Sequence, residues 1–97
     1  MNSMGFFQKI QQKIVDREYY LSAHAEEEMW IDDIERVDVE HAILKGRIEK
    51  KLTQDVRGTR HRIEGMTFDG RKIHVVCRLN EQEELVIITV YVLEVRK

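Results

Sequence analysis

The chain has 97 residues, of which 42% are hydrophobic and 35% are charged, and its formal net charge is −2. This length suits one domain with a single modest core, and this balance of apolar and charged residues argues against a disordered protein. Five glycines and no proline argue against long linkers and low-complexity tails. We therefore expect one globular domain over residues 1–97.

The sequence shows no sign of a membrane-bound or secreted protein. Its longest apolar run, residues 85–93, is interrupted by Thr89 and is far too short to span a bilayer. The start of the chain is amphipathic, whereas a signal peptide has a continuous apolar block. The single cysteine, Cys77, can form no internal disulfide. We expect a cytoplasmic protein without membrane contact.

The N-terminal segment, residues 1–18, predicts one amphipathic helix. Its apolar residues recur at spacings of three and four, which indicates a helix over residues 3–17. Ser3 is a suitable N-cap because its hydroxyl can accept a free N–H of the first turn. Residues 19–21 should follow as a short extended link.

Two shorter helices are expected next. Ser22 is the cap candidate of the first and Asp38 that of the second. The second helix should end at Lys45-Gly46, because a cation in the last turn and a glycine just beyond it favour a helix C-terminus. The predicted buried residues are Ala25, Met29 and Trp30 in the first helix and Val39, Ala42 and Ile43 in the second.

After Gly46 the apolar period changes to two, which predicts an antiparallel meander. Asp69-Gly70 predicts a type I′ hairpin turn, in which both central residues have positive φ. The last strand is apolar on both faces and should be central or covered. The predicted fold is α+β, with N-terminal helices packed on one face of a roughly four-stranded antiparallel sheet. Its strands are residues 47–52, 60–68, 72–79 and 85–94.

Charge is distributed unevenly along the chain. Residues 16–41 hold ten acidic and two basic side chains, a local charge of −8, and residues 45–62 hold seven basic and two acidic ones, a local charge of +5. A positive strip on an acidic body suits a phosphate-bearing ligand, although a solvated lysine-rich hairpin would show the same pattern.

Strand parity gathers polar side chains on the sheet face that the helices leave open. In the last strand, Thr89 and Tyr91 should lie opposite Val86, Ile88 and Val90. A sheet face open to water is usually polar, so this pattern alone does not establish a site. The expected open-face set is Arg60, Arg62, His74, Arg78, Thr89 and Tyr91.

No metal or other cofactor is expected. His24 and Glu28 have the i, i+4 spacing of two ligands on one helix face, but the sequence offers no third ligand. The remaining chemistry is metal-free cleavage of an RNA phosphodiester, which needs a base for the 2′-hydroxyl, cations for the phosphate and an acid for the leaving oxygen. His24 could be the acid or the base. The positive end of the helix dipole disfavours the imidazolium form of His24, and the nearby glutamates favour it.

Arginine side chains are the candidates for holding the phosphate, because a guanidinium fork matches its oxygens. His61, His74 or Tyr91 could donate a proton or orient the scissile group, whereas His41 suits a helix surface. The predicted RNA-binding residues are Arg57, Arg62, His61, His74 and Arg78, beside Arg60 as a phosphate anchor.

Five short motifs occur in a fixed order over about residues 19–92. They are Ser22-x-His24-Ala25…Met29, Asp38-Val39-Glu40-x-Ala42-Ile43-x-x-Gly46-x-Ile48, Arg60-x-x-Ile63-x-Gly65, Gly70-x-x-Ile73-His74-Val75-Val76 and Ile88-Thr89-Val90-Tyr91. This series resembles the DUF4258 family. The family consists of small bacterial and archaeal domains and is similar to the RelE/BrnT-like toxins and to the wider barnase–EndoU–colicin–RelE group of metal-independent ribonucleases.

The resemblance implies a RelE-like fold, RNA as the substrate, a cognate antitoxin as protein partner, and His24, Arg60, Thr89 and Tyr91 as catalytic residues. One position departs from the family pattern, which commonly has arginine where this chain has Glu28. The expected function is that of a toxin–antitoxin-type endoribonuclease. The alternative is a non-catalytic module of the same fold that binds nucleic acid or protein. A third reading, suggested by the N-terminal helix, is a regulatory homodimer.

Overall fold

The computed structural model of the chain describes residues 5–52 and 59–93. Within these ranges the helices are α1 (Phe6–Val15), α2 (Ala23–Ile31) and α3 (Arg36–Lys45). The strands are β1 (Tyr19–Leu21), β2 (Arg47–Leu52), β3 (Arg60–Met66), β4 (Lys72–Leu79) and β5 (Leu85–Val92). Two predicted residues, Ser3 as a cap and Arg57 as a phosphate ligand, lie outside the described residues.

The described strands form one mixed sheet of five strands in the order β1-β5-β4-β3-β2. The prediction of an antiparallel sheet of about four strands is therefore only partly correct, because the presumed link at residues 19–21 is a strand that pairs parallel to β5. Three residues are too few to show an alternating pattern in the sequence. The central position of β5, between β1 and β4, confirms the expectation from its two apolar faces.

The three helices contribute to one core on a single face of the sheet. α1 supplies Ile10 and Ile14, and α2 supplies Ala25 and Met29. Trp30 was predicted to be buried but is 86% exposed, because the next residue of a helix points about 100° away from Met29. The remaining core residues are Tyr19, Ile34, Val39, Ala42, Ile43, Ile63, Ile73, Val75, Cys77, Leu85, Ile87 and Val90.

Helices α1 and α2 both end with a left-handed residue that is not glycine. Arg17 and Asp33 have φ of 57° and 55°. After α1, the N–H of Glu18 donates to the carbonyl oxygen of Lys13, and the N–H of Arg17 donates to that of Ile14. These two bonds form a Schellman motif and end α1 before the predicted residue 17.

Helix α3 begins one turn earlier than predicted. Its N-cap is Glu35, and Asp38, the expected cap, is the third helical residue. The Asp38 carboxylate accepts hydrogen bonds from the N–H of Glu35 (3.0 Å) and from that of Phe68 (2.9 Å). Asp38 therefore stabilises the helix start from inside the first turn and also ties it to the β3–β4 hairpin.

The β3–β4 hairpin does not have the predicted type I′ turn. The N–H of Gly70 donates to the carbonyl oxygen of Thr67, and the N–H of Thr67 donates to that of Arg71. Gly70 has φ of 87°, whereas Asp69 is not among the described residues with positive φ. The loop is thus the three-residue kind, a turn followed by one left-handed glycine.

A β-bulge shifts the parity of β5. Val76 pairs with Thr89, but the next residue, Cys77, pairs with Ile87, so Ile88 is an extra residue on β5. The prediction that Val86 lies opposite Thr89 is therefore wrong. Val86 pairs with Arg78 on the open face, and Ile87 joins the buried core.

The backbone of α3 lies directly against that of β3, and two glycines permit this contact. A Cβ atom added to Gly65 would lie 2.2 Å from the carbonyl oxygen of Ala42, and one added to Gly46 would lie 2.3 Å from the same atom. Gly46 has φ of −96°, so it ends α3 because of space and not because of a left-handed conformation.

We expect Gly65→Ala to lower the free energy of unfolding by about 1–3 kcal/mol, because the new methyl group overlaps main-chain atoms that cannot move independently. Urea denaturation of the purified protein measures this change. Gly5→Ala is the control, since its Cβ would meet only the end of the Gln8 side chain, at 3.6 Å. Equal stability of the two variants would contradict the close-contact explanation.

Candidate functional site

The sheet face opposite the core carries the polar side chains predicted from strand parity. The register places Glu64 of β3 beside His74 of β4, and His74 beside Tyr91 of β5. The neighbouring row contains Arg62, Val76 and Thr89. Most of the expected set is therefore on one surface, which we call the open face.

His74 is the centre of a hydrogen-bonded chain on the open face. Its Nε2 lies 3.0 Å from Oε1 of Glu64, and its Nδ1 lies 3.0 Å from the hydroxyl oxygen of Tyr91. An ionised carboxylate can only accept, so Nε2 must carry the proton that points at Glu64. In the neutral imidazole Nδ1 then accepts from the Tyr91 hydroxyl. His74 is only 8% exposed, and this arrangement fixes its ring orientation.

Glu64 remains ionised because three groups favour its negative charge. The hydrogen bond from His74, and then the charges of Lys72 and Arg47, lower the pKa of its carboxyl group. Arg47 Nη2 lies 3.2 Å and Lys72 Nζ 3.8 Å from its second oxygen, Oε2. Glu64 therefore connects the buried histidine to two exposed cations.

Arg62 lies in the neighbouring row of the open face and forms an ion pair there. Its Nε donates to Oε1 of Glu49 at 2.7 Å, and this bond is the largest cause of the raised pKa of Arg62. The same contact with Arg62 lowers the pKa of Glu49. The open face therefore carries the hydrogen-bonded chain Glu64–His74–Tyr91 and, beside it, the Arg62–Glu49 ion pair.

His24 and Thr89 meet at a second cluster, at the edge of the sheet. Oε1 of Glu28 accepts hydrogen bonds from the hydroxyl group of Thr89 and from the backbone N–H of Val90, the latter at 2.9 Å. The Nε2 of His24 lies 3.4 Å from the same oxygen, and its side chain is 65% exposed. β1 pairs with residues 85–87 of β5, so the Val90 N–H lies beyond the end of β1. Glu28 satisfies this N–H and holds His24 and Thr89 near each other.

Ser22 places α2 at this edge. Its Oγ accepts from the N–H of Ala25 at 3.0 Å, which confirms Ser22 as the cap of α2. The same hydroxyl group donates to the carbonyl oxygen of Ile88 at 2.7 Å, and the Ser22 N–H donates to Ile87. The helix therefore starts hydrogen-bonded to β5, six residues before Glu28.

The structure does not bring His61 to the open face. His61 pairs with Cys77 on the covered face, is 8% exposed, and its ring lies 4.3 Å from that of Phe6. Burial, together with the charge of Lys51, lowers the pKa of His61. Its predicted role in RNA binding has no support in this placement.

Three acidic residues of the site were missed by reasoning from the sequence. Glu64 lies on the same face of β3 as Arg60 and Arg62, because side chains alternate between the two faces of a strand. This alternation was sufficient to predict Glu64 as a residue of the open face. Glu49 is brought to Arg62 by a register shift between Ile48 and Lys50, which has no sequence signature. Glu28 was noted as the i, i+4 partner of His24 and as a departure from the family pattern, but its contact with β5 is long-range and was not predicted.

The described residues contain no group of three or more His, Cys, Asp or Glu side chains that could hold a metal ion. None of the helices in residues 5–52 and 59–93 is long and apolar enough to cross a membrane.

Comparison with protein families matches residues 21–92 to the family described as a domain of unknown function, DUF4258. The chain belongs to the DUF4258 family. Searches of curated proteins and of solved structures give no significant match. The DUF4258 match begins after α1 and contains both clusters described above.

We expect Glu28→Ala to destabilise the protein by about 1–3 kcal/mol, because it leaves the Val90 N–H without its acceptor. Hydrogen exchange at the Val90 amide should become faster than in the wild type. Glu28→Gln, which keeps a carbonyl oxygen, should retain part of the protection. Glu27→Ala, a change at an exposed neighbour, is the control. Unchanged exchange at Val90 in Glu28→Ala would contradict the capping role.

Protonation of His61 should lower the free energy of unfolding as the pH decreases. The pKa of His61 is lower in the folded protein than in the unfolded chain, so the unfolded chain binds the proton more readily. The contribution of neutral His61 to stability is therefore present above the unfolded value of about 6.5 and is lost as the pH falls below it. Urea midpoints measured between pH 8 and 5 should decline for the wild type and decline less for His61→Phe. Parallel curves for the two proteins would exclude this contribution.

Proposed function

We propose that the protein is a metal-independent endoribonuclease of the toxin–antitoxin type, which binds RNA on the open face of its sheet. The observation that carries the proposal is the chain in which Glu64 orients His74 and His74 accepts from Tyr91, with Arg62 in the next row of the same face. Cleavage through the 2′-hydroxyl needs a base, a cation and an acid. The chain and Arg62 offer the first two, and the second cluster offers His24 as the third.

The proposed reaction uses Tyr91 and His74 as the base. The 2′-oxygen attacks the phosphorus atom while its proton passes to the Tyr91 oxygen, and the tyrosine proton passes to Nδ1 of His74. The resulting imidazolium faces the Glu64 carboxylate, which stabilises its charge. The bond from phosphorus to the 5′-oxygen then breaks, and the products are a 2′,3′-cyclic phosphate and a 5′-hydroxyl.

His24 is the proposed acid for the leaving 5′-oxygen. Its side chain is exposed, and Glu28 links it to Thr89, two residues before Tyr91 on β5. Arg62 and Arg60 hold the phosphate oxygens in this proposal, because both belong to the open-face positions of β3. His24 and the Tyr91–His74 pair would then act on opposite oxygens of the same phosphodiester.

A RelE-like fold is part of the proposal, and three helices covering one face of a mixed sheet support it. A toxin of this type requires a cognate antitoxin, a protein that covers the open face or displaces RNA from it.

A homodimer through the N-terminal helix is a separate proposal. Size-exclusion chromatography of the protein with residues 1–17 deleted would test it.

The alternative is a non-catalytic module that binds nucleic acid or protein with the same face. One observation favours it: the cations are already paired with carboxylates, Arg62 with Glu49 and both Arg47 and Lys72 with Glu64. These pairs reduce the positive potential available to a phosphate. RNA binding that weakens steeply with salt, without cleavage, would support this alternative.

Tyr91→Phe and His74→Gln should each lower RNA cleavage in EDTA by about 10²- to 10⁴-fold, because each removes a proton-transfer group. Gel analysis of a fluorescent RNA, with identification of the cyclic phosphate, measures the rate. The matched control is Tyr20→Phe, since the hydroxyl of Tyr20, on the edge strand β1, contacts Glu84 and takes no part in the Glu64–His74–Tyr91 chain. A combined His24→Ala and Arg60→Ala variant should also lose activity.

Two results would count against a ribonuclease. Cleavage at the wild-type rate by Tyr91→Phe would exclude the proposed base. No cleavage by the wild type at any RNA concentration would leave the binding module as the better description.

A further inference from the structure

A cationic cavity of about 450 Å³ adjoins the candidate site at the end of β3. Glu64 belongs to both, since it lines the cavity and binds His74. Two of the cavity's cations, Arg47 and Lys72, pair with Glu64, and Lys45 adds a third positive charge. The size is within the range of small-molecule pockets. The lining residues are His41, Lys45, Gly46, Arg47, Glu64, Gly65, Met66 and Lys72.

An aromatic pair borders this cavity on its other side. Phe68 is 67% exposed, and its ring lies 4.2 Å from that of His41 at an interplanar angle of 33°. The Nδ1 of His41 lies 2.8 Å from the carbonyl oxygen of Met66, which fixes the histidine ring. The pair lines a second cavity of about 360 Å³, and His41 and Lys45 line both cavities. The two cavities therefore adjoin each other at His41 and Lys45.

Carboxylates near the aromatic pair are engaged with protein groups. Asp38 accepts from two backbone N–H groups, and Glu40 accepts from the Tyr19 hydroxyl at 2.6 Å. Asp69 accepts from Nε of Arg71 at 3.1 Å and also from Thr67. These carboxylates are therefore bonded to protein groups, and Lys45, Arg47 and Lys72 are the cations that line the cationic cavity beside Glu64.

We infer that the substrate is single-stranded RNA that continues from the candidate site through the cationic cavity and stacks one base on Phe68 and His41. This inference rests on the proposed function and names the substrate class and a second contact for the same strand. Phosphate-binding cations that alternate with an exposed aromatic ring are the features by which proteins hold single strands. A base within a duplex has no free face to offer to Phe68.

Phe68→Ala should weaken binding of a fluorescent single-stranded RNA of eight nucleotides by roughly 5- to 100-fold, the range expected for one lost base stack. Phe68→Tyr should retain the affinity, whereas Phe68→Leu, which is apolar without a ring, should lose it. Trp30→Ala is the matched control, because Trp30 is an even more exposed aromatic residue on the acidic helix α2. Fluorescence anisotropy at fixed salt measures all five proteins, the wild type included.

The outcomes separate this inference from the proposed function. If the wild type binds RNA and Phe68→Ala binds it equally well, the stacking contact is excluded and the open-face site stands. Binding retained by Phe68→Leu would replace stacking by a simple apolar contact and so overturn the inference. If a duplex of the same length binds as tightly as the single strand, the substrate class is wrong. If the wild type binds no RNA, both proposals fail.

Discussion

The contact between the backbones of α3 and β3 determines which face of the sheet is buried. The carbonyl oxygen of Ala42 occupies the space that a side chain at Gly65 would need, and Gly46 is equally close to it. This approach places Val39 and Ile43 on the sheet and closes the core on that side. All polar side chains of opposite parity must then lie on the other face. The candidate site therefore depends on two positions that tolerate no Cβ.

The open face is a paired network and not a bare basic patch. Arg62 is held by Glu49, and His74 lies between Glu64 and Tyr91, bonded to both. Fixed hydrogen bonds of this kind orient catalytic groups before a substrate arrives, which lowers the cost of reorganisation in the transition state. In the proposed function, a phosphate would have to compete with Glu49 for Arg62. The same contacts fix the orientation of these side chains and lower the positive potential of the open face.

Glu28 shows how one residue can serve both the fold and the site. Its oxygen satisfies the edge N–H of Val90 and the hydroxyl group of Thr89, and it also lies beside His24. The family resemblance implies arginine at this position, but a guanidinium group has no acceptor for the Val90 N–H. The acidic residue in this chain therefore has a structural explanation. The negative charge of Glu28 strengthens the hydrogen bonds from Val90 and Thr89, and it also adds to the acidic charge of α2.

The amino-acid sequence by itself determined the helices, four of the five strands and the polar face of the sheet. These features follow from local periodicity. Ile63 follows Arg62 in β3 and His74 follows Ile73 in β4, so the apolar and polar side chains point to opposite faces independently of distant residues. The central place of β5 was equally readable, because its residues are apolar on both faces. Ser22 as the cap of α2 could be predicted for the same reason, since a cap depends on neighbouring residues.

Only the tertiary structure decided which polar residues meet. The bulge at Ile88 changes the face of Val86, and the pairing of Tyr19–Leu21 with β5 makes a strand from a segment without a pattern. The contact of Glu28 with Thr89 joins residues 61 positions apart. Such contacts depend on strand order and register, which are set by packing of the whole core and are not encoded in any short stretch of the chain.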